Sequence, residues 1–249
     1  TGVVYVATIF QESMLPCIFP AFPEREEFDV FDAMEPAKEV GGDFYDFFMV
    51  DERHLAVVAA DVSGKGVPAA LFMVIGKTLI KDHTQPGRDL GEVFTEVNNL
   101  LCESNSEGMF ITAFEGVLDL ATGEFRFVNA GHEIPFVCKK GGVFEPHKIR
   151  AGFVLAGMEG IRYQCGSMQL EEGDKFFQYT DGVTEATNKE NGLYGMERLE
   201  RVLRDHAALS PAELLPAVKR DIDAFVGDAE QFADITMICF EFKKKMGWS

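Results

Sequence analysis

Two apolar runs of matching length, Asp43–Val50 and His54–Asp61, flank the polar tripeptide Asp51-Glu52-Arg53. An antiparallel hairpin buries both runs across so short a turn, and few other arrangements do. The turn centres near Glu52, and Asp43 and Asp61 are equidistant from it. In a regular hairpin such residues sit opposite one another with their side chains close together. Two carboxylates held that close repel unless a proton or a cation lies between them. Hard divalent cations take oxygen ligands, so this acidic strand end is a candidate magnesium or manganese site. Either Asp alone reads better as a turn or cap residue; only the pair makes a cation an even alternative.

The remaining pattern sets the fold class. A second hairpin is expected from Ile111–Leu120, the turn Ala121-Thr122-Gly123 and Glu124–Ala130. Further strands are expected at Pro135–Cys138, Tyr163–Leu170 and Lys175–Thr180. Pro68 stands at the first turn of a buried helix. Asp89–Glu103 has a helical period with Leu90, Val93, Val97, Leu100 and Leu101 on one side. Another helix covers Met196–His206, and one more starts at Ser210, where Ser210 and Glu213 fit a capping box and Pro216 should distort the helix early. Asp234–Phe242 is apolar on both faces, as in a central strand covered on each side. The prolines and acidic stretch of Glu12–Pro36 read as an irregular lead-in after a short helix. Hairpin-connected strands with two groups of helices give an α+β fold, antiparallel sheets flanked by helices, in one domain.

Charge narrows the partners. Lys and Arg number 23 against 41 Asp and Glu, a formal net charge of −18, which argues against nucleic acid and anionic membranes. A carboxylate excess suits divalent cations, although solubility is its commoner meaning. Phenylalanine outnumbers Tyr and Trp, 23 against 5 and 1, which calls for a core of rings without polar tips. The Met and Phe residues at 72, 73, 109 and 110 are expected in that core. Cys17, Cys102, Cys138, Cys165 and Cys239 are scattered and odd in number, and read as mostly buried free thiols of a reducing compartment. No signal peptide or membrane-length apolar run is visible, so a cytoplasmic location is expected, with Thr1–Phe10 as the end of a helix entering from upstream.

The surroundings of the two aspartates strengthen the cation reading. Gly41-Gly42 precedes Asp43, and Gly64-Lys65-Gly66 follows Asp61 shortly. Asp181-Gly182 ends another expected strand, and Asp234 opens the last. Glycines let backbone approach a ligand closely. Several aspartates at separate strand ends beside small residues look like one shared metal centre.

Val40-Gly-Gly-Asp-Phe-Tyr-Asp46, Ala60-Asp-Val-Ser-Gly-Lys-Gly-Val-Pro-Ala-Ala70, Asn129-Ala-Gly-His132 and Tyr179-Thr-Asp-Gly-Val-Thr-Glu-Ala186 resemble the PPM phosphatases. With Gln11-Glu-Ser-Met-Leu-Pro16 they resemble, more narrowly, the bacterial SpoIIE/RsbU branch. The resemblance implies a four-layer αββα sandwich holding two Mn2+ or Mg2+ ions at one end of its sheets. It implies that Asp61 bridges both ions, that the Val62 carbonyl binds one, that Asp181 ligates the other, and that Asp43 acts through metal-bound water. Asp43, Asp61 and Asp181 thereby form the catalytic set, with Gly41, Gly42, Gly64, Gly66 and Gly182 shaping the backbone around them. Lys38 stands where some relatives carry a phosphate-binding Arg; a solvated lysine is the alternative. His132 reads as a general acid or, at least as well, as a structural histidine, and stays outside the catalytic set.

The implied reaction is hydrolysis of phosphoserine or phosphothreonine on an anti-anti-sigma-type regulatory protein, in the control of a sigma factor during stress or sporulation. Residues 1–22 would form a lead-in regulatory helix under an upstream sensor domain, and residues 23–249 the phosphatase domain. Ile9–Leu15 would be a switch element or the contact of a homodimer.

One position breaks the pattern. The branch usually carries Asp-Asp-Ile-Thr at the start of the last strand, where this chain reads Ala233-Asp234-Ile235-Thr236. Ala233 therefore occupies an expected ligand position, and Asp234, kept as a further metal candidate, should face the other way on a regular strand. The alternative function is a pseudophosphatase that binds a phosphoprotein without turning it over.

Overall fold

The computed structural model describes residues 2–38 and 40–247. Helix α1 (Gly2–Met14) and strand β1 (Phe28–Glu35) precede the first hairpin, in which β2 (Asp43–Met49) pairs with β3 (His54–Val62). Helices α2 (Val67–His83) and α3 (Leu90–Glu103) lead to the second hairpin, β4 (Ile111–Asp119) and β5 (Glu124–Ala130). Three short strands follow: β6 (Phe136–Cys138), β7 (Phe144–Pro146) and β8 (Gly166–Gln169). The chain ends with β9 (Lys175–Tyr179), α4 (Gly195–Asp205), α5 (Pro211–Val226) and β10 (Ile235–Phe242). The strands form two five-stranded antiparallel sheets, in the orders β2-β3-β4-β5-β8 and β1-β10-β9-β6-β7.

Strands buried on both faces require cover on both sides, and three hydrophobic clusters supply it. Phe44, Ala56 and Val58 of the first sheet pack under Phe72, Met73, Val93 and Val97 of α2 and α3. The opposite face of that sheet meets the second, where Phe114, Phe125, Phe176 and Phe240 stack with ring centroids 5.0 to 5.5 Å apart. The outer face of the second sheet packs on Leu199, Leu203, Leu214 and Val218 of α4 and α5. The order is helices, sheet, sheet, helices. Phenylalanine fills the seam because it adds area without a polar tip to satisfy.

The expected irregular lead-in is wrong over its second half. Phe28–Glu35 is a regular strand paired along its length with β10, Phe28 opposite Phe242. Pro36 stops that strand rather than preventing it, since proline is tolerated at strand ends. The Tyr163–Leu170 strand shrinks to Gly166–Gln169, and Phe144–Pro146, with no sequence signal, pairs with β6. Helix α5 runs through Pro216 without interruption, and its Ser210–Glu213 capping box is present. On α3, Leu100 faces solvent and Phe94 takes the core position. Phe110 is likewise exposed, whereas Phe72 and Met73 are buried as expected. Of the five free cysteines only Cys138 and Cys239 are buried; Cys17 is exposed.

A polar cluster lies beneath α2. Lys77 reaches Asp46 at 3.2 Å, both almost fully buried. Nearby, the Thr84 hydroxyl donates to Glu115 Oε1 at 2.7 Å, while Glu115 Oε2 has no hydrogen-bond partner. Burial, and to a smaller degree Asp46, push the Glu115 carboxyl up to about 8. A carboxyl raised in this way keeps its proton in the native state. Its contribution is complete below the unfolded value near 4.3 and is lost as pH rises through about 8. Glu115→Gln, which mimics the neutral acid, should therefore flatten the decline in melting temperature between about pH 5 and 8. Thermal melts of both proteins across that range decide it; parallel declines would refute a neutral Glu115.

Candidate active site

The register of the first hairpin places Asp43 opposite Asp61. Asp43 heads β2 in one sheet, whereas Asp181 follows β9 and Asp234 precedes β10 in the other. The sheets thus bring all four aspartates to one end of the sandwich. They line a cleft of about 310 Å³ together with Lys38, Val62 and Glu185.

Asp43 is buried, and its Oδ2 accepts hydrogen bonds from the hydroxyls of Thr180 and Thr236, each 2.6 Å long. Both threonines belong to the opposite sheet, so this carboxyl ties the sheets together at the cleft. Burial, then Asp61 and Asp234, hold Asp43 well above the usual carboxylate range. Burial and the charges of Asp181, Asp234 and Glu185 push Asp61 up to about 7. Asp181 is raised by burial and Asp234, and Glu185 by burial and Asp181. Crowded carboxylates of this kind are relieved by protons or by cations.

Asp234 serves differently. Its Oδ1 accepts from the Ala37 amide at 2.8 Å, and its Oδ2 from the amides of Gly42 at 2.8 Å and Asp43 at 3.2 Å. Strand β10 begins only at Ile235, so the expectation that Asp234 points away by strand alternation does not apply; it turns inward and fastens the loop before β2. The neighbouring glycines permit this approach. A Cβ at Gly41 would lie 2.2 Å from Asp234 Oδ2, and one at Gly182 would lie 1.9 Å from the Asp234 carbonyl oxygen. Gly42 likewise lies against the Val62 carbonyl, and Gly64 and Gly66 turn the chain from β3 into α2 with positive φ.

The other sequence candidates divide. Lys38 is exposed on the cleft wall. Lys65 donates to the Phe232 carbonyl at 3.1 Å. His132 is buried, with Nε2 3.0 Å from the Tyr179 carbonyl and Nδ1 3.1 Å from the Thr112 hydroxyl. Burial holds its ring down at about 4, so it is neutral near pH 7. It has the contacts of a structural histidine. Three groups escaped the sequence reading: Glu185, Thr180 and Thr236. Glu185 stands one helical turn beyond Asp181, its amide bonded to the Asp181 carbonyl at 2.9 Å, and that spacing was the available signal. Gln11 of α1 also reaches the site, donating from Nε2 to the Gly41 carbonyl at 2.8 Å and accepting the Gly41 amide at 3.3 Å.

Among the described residues, no three His, Cys, Asp or Glu side chains are set closely enough to hold a metal ion between them. Asp43 Oδ2 and Asp234 bond hydroxyls and amides, and position 233 offers no carboxylate. The donor set of Asp61, Asp181, Glu185 and the Val62 carbonyl is nonetheless all hard oxygen. Its crowded charge matches magnesium or manganese, which accept few carboxylates and complete their shells with water.

Comparison with known proteins gives the family. The family model for Stage II sporulation protein E (SpoIIE) matches residues 51–243. Protein IcfG of Synechocystis is 30% identical over 256 residues, covering 92% of this chain and 39% of that protein. Phosphoserine phosphatase RsbU of Bacillus subtilis is 30% identical over 224 residues, covering 89% of this chain and 65% of that protein. The chain thus spans less than two thirds of either relative's length. Among solved structures, the SiaA-PP2C domain of Pseudomonas aeruginosa superposes with a TM-score of 0.82 at 21% identity, covering 97% of this chain and 96% of that one. At that identity the likeness concerns the fold.

Proposed function

Because this chain belongs to the SpoIIE family of PPM-type phosphatase domains, we propose that it is a metal-dependent protein-serine/threonine phosphatase acting on a phosphorylated anti-anti-sigma-type protein. The observation that carries the reading is the cross-strand pairing of Asp43 with Asp61 at a cleft shared with Asp181. Asp61, between Asp43 and Asp181, would be the carboxylate that two Mn2+ or Mg2+ ions share, and the Val62 carbonyl and Asp181 would each serve one of them. Such ions, when bound, acidify a water for attack on phosphorus and offset the charge developing on the phosphoryl oxygens. Asp43, held by Thr180 and Thr236, orients water at the cleft rather than changing its contacts. Lys38, exposed on the cleft wall, would meet phosphate oxygens at the rim, and Glu185, which lines the same cleft, would make up for Ala233.

Within the same reading, residues 1–22 form the input segment, which carries the signal of an upstream sensor domain or pairs two chains, and residues 23–249 form the phosphatase domain. Gln11 gives that segment a physical hold on the site. Gln11→Leu removes both bonds to Gly41 and should lower phosphate release by about tenfold through misplacement of the Gly41–Asp43 loop. The loss in stability should be small, about 1 kcal/mol for each bond removed. Rate and melting temperature measured together check this; an unchanged rate would sever α1 from the site.

A second reading, a phosphoprotein-binding module with little turnover, is favoured by Ala233 alone. Phosphate release from a phosphoserine-bearing partner protein, with manganese supplied or chelated, tests the two against each other. Manganese-dependent release supports the enzyme; binding of the phosphoprotein without release at any manganese concentration supports the module.

A further inference from the structure

Away from the acidic cleft, a pocket of about 610 Å³ opens between β5, β8 and the connection from His147 to Cys165. Lys148, Arg150 and Arg162 line it and no Asp or Glu does, in a chain whose acidic residues outnumber its basic ones 41 to 23. All three cations are exposed, and none makes an ion pair or side-chain hydrogen bond with a described residue. Elsewhere Arg53, Arg88, Arg126 and Lys219 each meet a carboxylate. Phe127, Ile149 and the half-exposed Phe153 supply an apolar wall. The backbone around the pocket is fixed: the Gly152 amide donates to the Asn129 carbonyl at 2.8 Å, and the Tyr163 hydroxyl to the Val154 carbonyl at 2.9 Å.

Unpaired guanidinium groups select carboxylates and phosphates, which they bind through two parallel N–H donors. The apolar wall requires more than a bare anion to cover it. A long polyanion would be repelled by the rest of the surface, which carries the chain's excess of negative charge. A short segment that alternates acidic and apolar side chains meets all three conditions. Asn129 also connects this pocket to the cleft. Its Oδ1 accepts the His132 amide at 2.7 Å, and the His132 ring spans Thr112, the register partner of Asp61, and the Tyr179 carbonyl.

We propose that this basic pocket docks a short acidic segment of a partner protein. Resting on the function proposed above, that partner is the phosphoprotein substrate, gripped apart from its phosphorylated side chain. The attraction orients a partner that the acidic cleft would otherwise repel.

The test uses the double variant Arg150→Glu, Arg162→Glu, whose exposed positions leave the core untouched. The probe is a short fluorescein-labelled peptide of glutamates around a central phenylalanine, read by fluorescence anisotropy. The parent should bind it, and the variant should bind at least about tenfold more weakly, a difference of about 1.4 kcal/mol. Failure of the parent to bind, or equal binding by the variant, overturns the site. Displacement of the peptide by pyrophosphate at equal or lower concentration overturns a protein segment as the occupant. Neither readout involves phosphate release, so both stand if the phosphatase reading falls. On a phosphoprotein substrate the variant should raise KM about tenfold, while its turnover of p-nitrophenyl phosphate stays that of the parent. An unchanged KM for the phosphoprotein overturns the substrate role.

Discussion

Replacing Asp61 with asparagine is expected to cut phosphate release by about a hundredfold or more, while the metal-free protein melts no lower than its parent. The two halves of that result have one cause. Asp61 is half-buried opposite Asp43 and beside Asp181, and burial with the charges of Asp181, Asp234 and Glu185 pushes it up to about 7. Without cations its negative charge is a liability, and asparagine, nearly identical in shape, relieves the repulsion. With cations, in the function proposed above, the same charge would be the one that both ions share. Manganese should therefore raise the melting temperature of the parent, as any ligand of the native state does, and should not raise that of the variant. A variant with low activity and an unchanged manganese response would mean that Asp61 acts without holding metal.

Placing an aspartate at the ligand position that the resemblance implies, by Ala233→Asp, should raise phosphate release about tenfold at matched manganese, because a misplaced reacting group by itself costs one to two orders of magnitude. Ala233 lines the cleft next to Asp181 and Asp234. Asp234 cannot readily take its place, since both its oxygens are bonded to the amides of Ala37, Gly42 and Asp43. The added carboxylate would give the ion at Asp181 a third anionic ligand and fix its position. It also adds charge to an already crowded end, so without metal the variant should melt lower than its parent. Equal rates would mean that Glu185 or Asp234 already supplies the ligand.

The hairpin was readable because a three-residue turn between equal apolar runs leaves one sensible register, and the register alone puts Asp43 against Asp61. The capping box at Ser210 and the proline at the start of α2 were readable for the same reason: each is a local rule met by adjacent residues. Strand β1 was not readable, because its alternation is broken by Asp32 and Ala33 and only its pairing with β10 makes it regular. The anchoring of Asp43 was also hidden. Thr180 and Thr236 come from the facing sheet, and no sequence spacing reports which residues of two sheets meet across a sandwich. Asp234 was placed on the wrong side for a related reason, since strand alternation was applied one residue before the strand begins.

Titration calorimetry with manganese on the parent and on Asp61→Asn tests the central claim most directly. A cation centre built on a shared carboxylate requires the parent to take up two ions per chain and the variant to lose measurable affinity for both. Uptake by the variant with the affinity and stoichiometry of the parent would contradict it, leaving the four strand-end aspartates as a structural cluster that shares protons rather than metal.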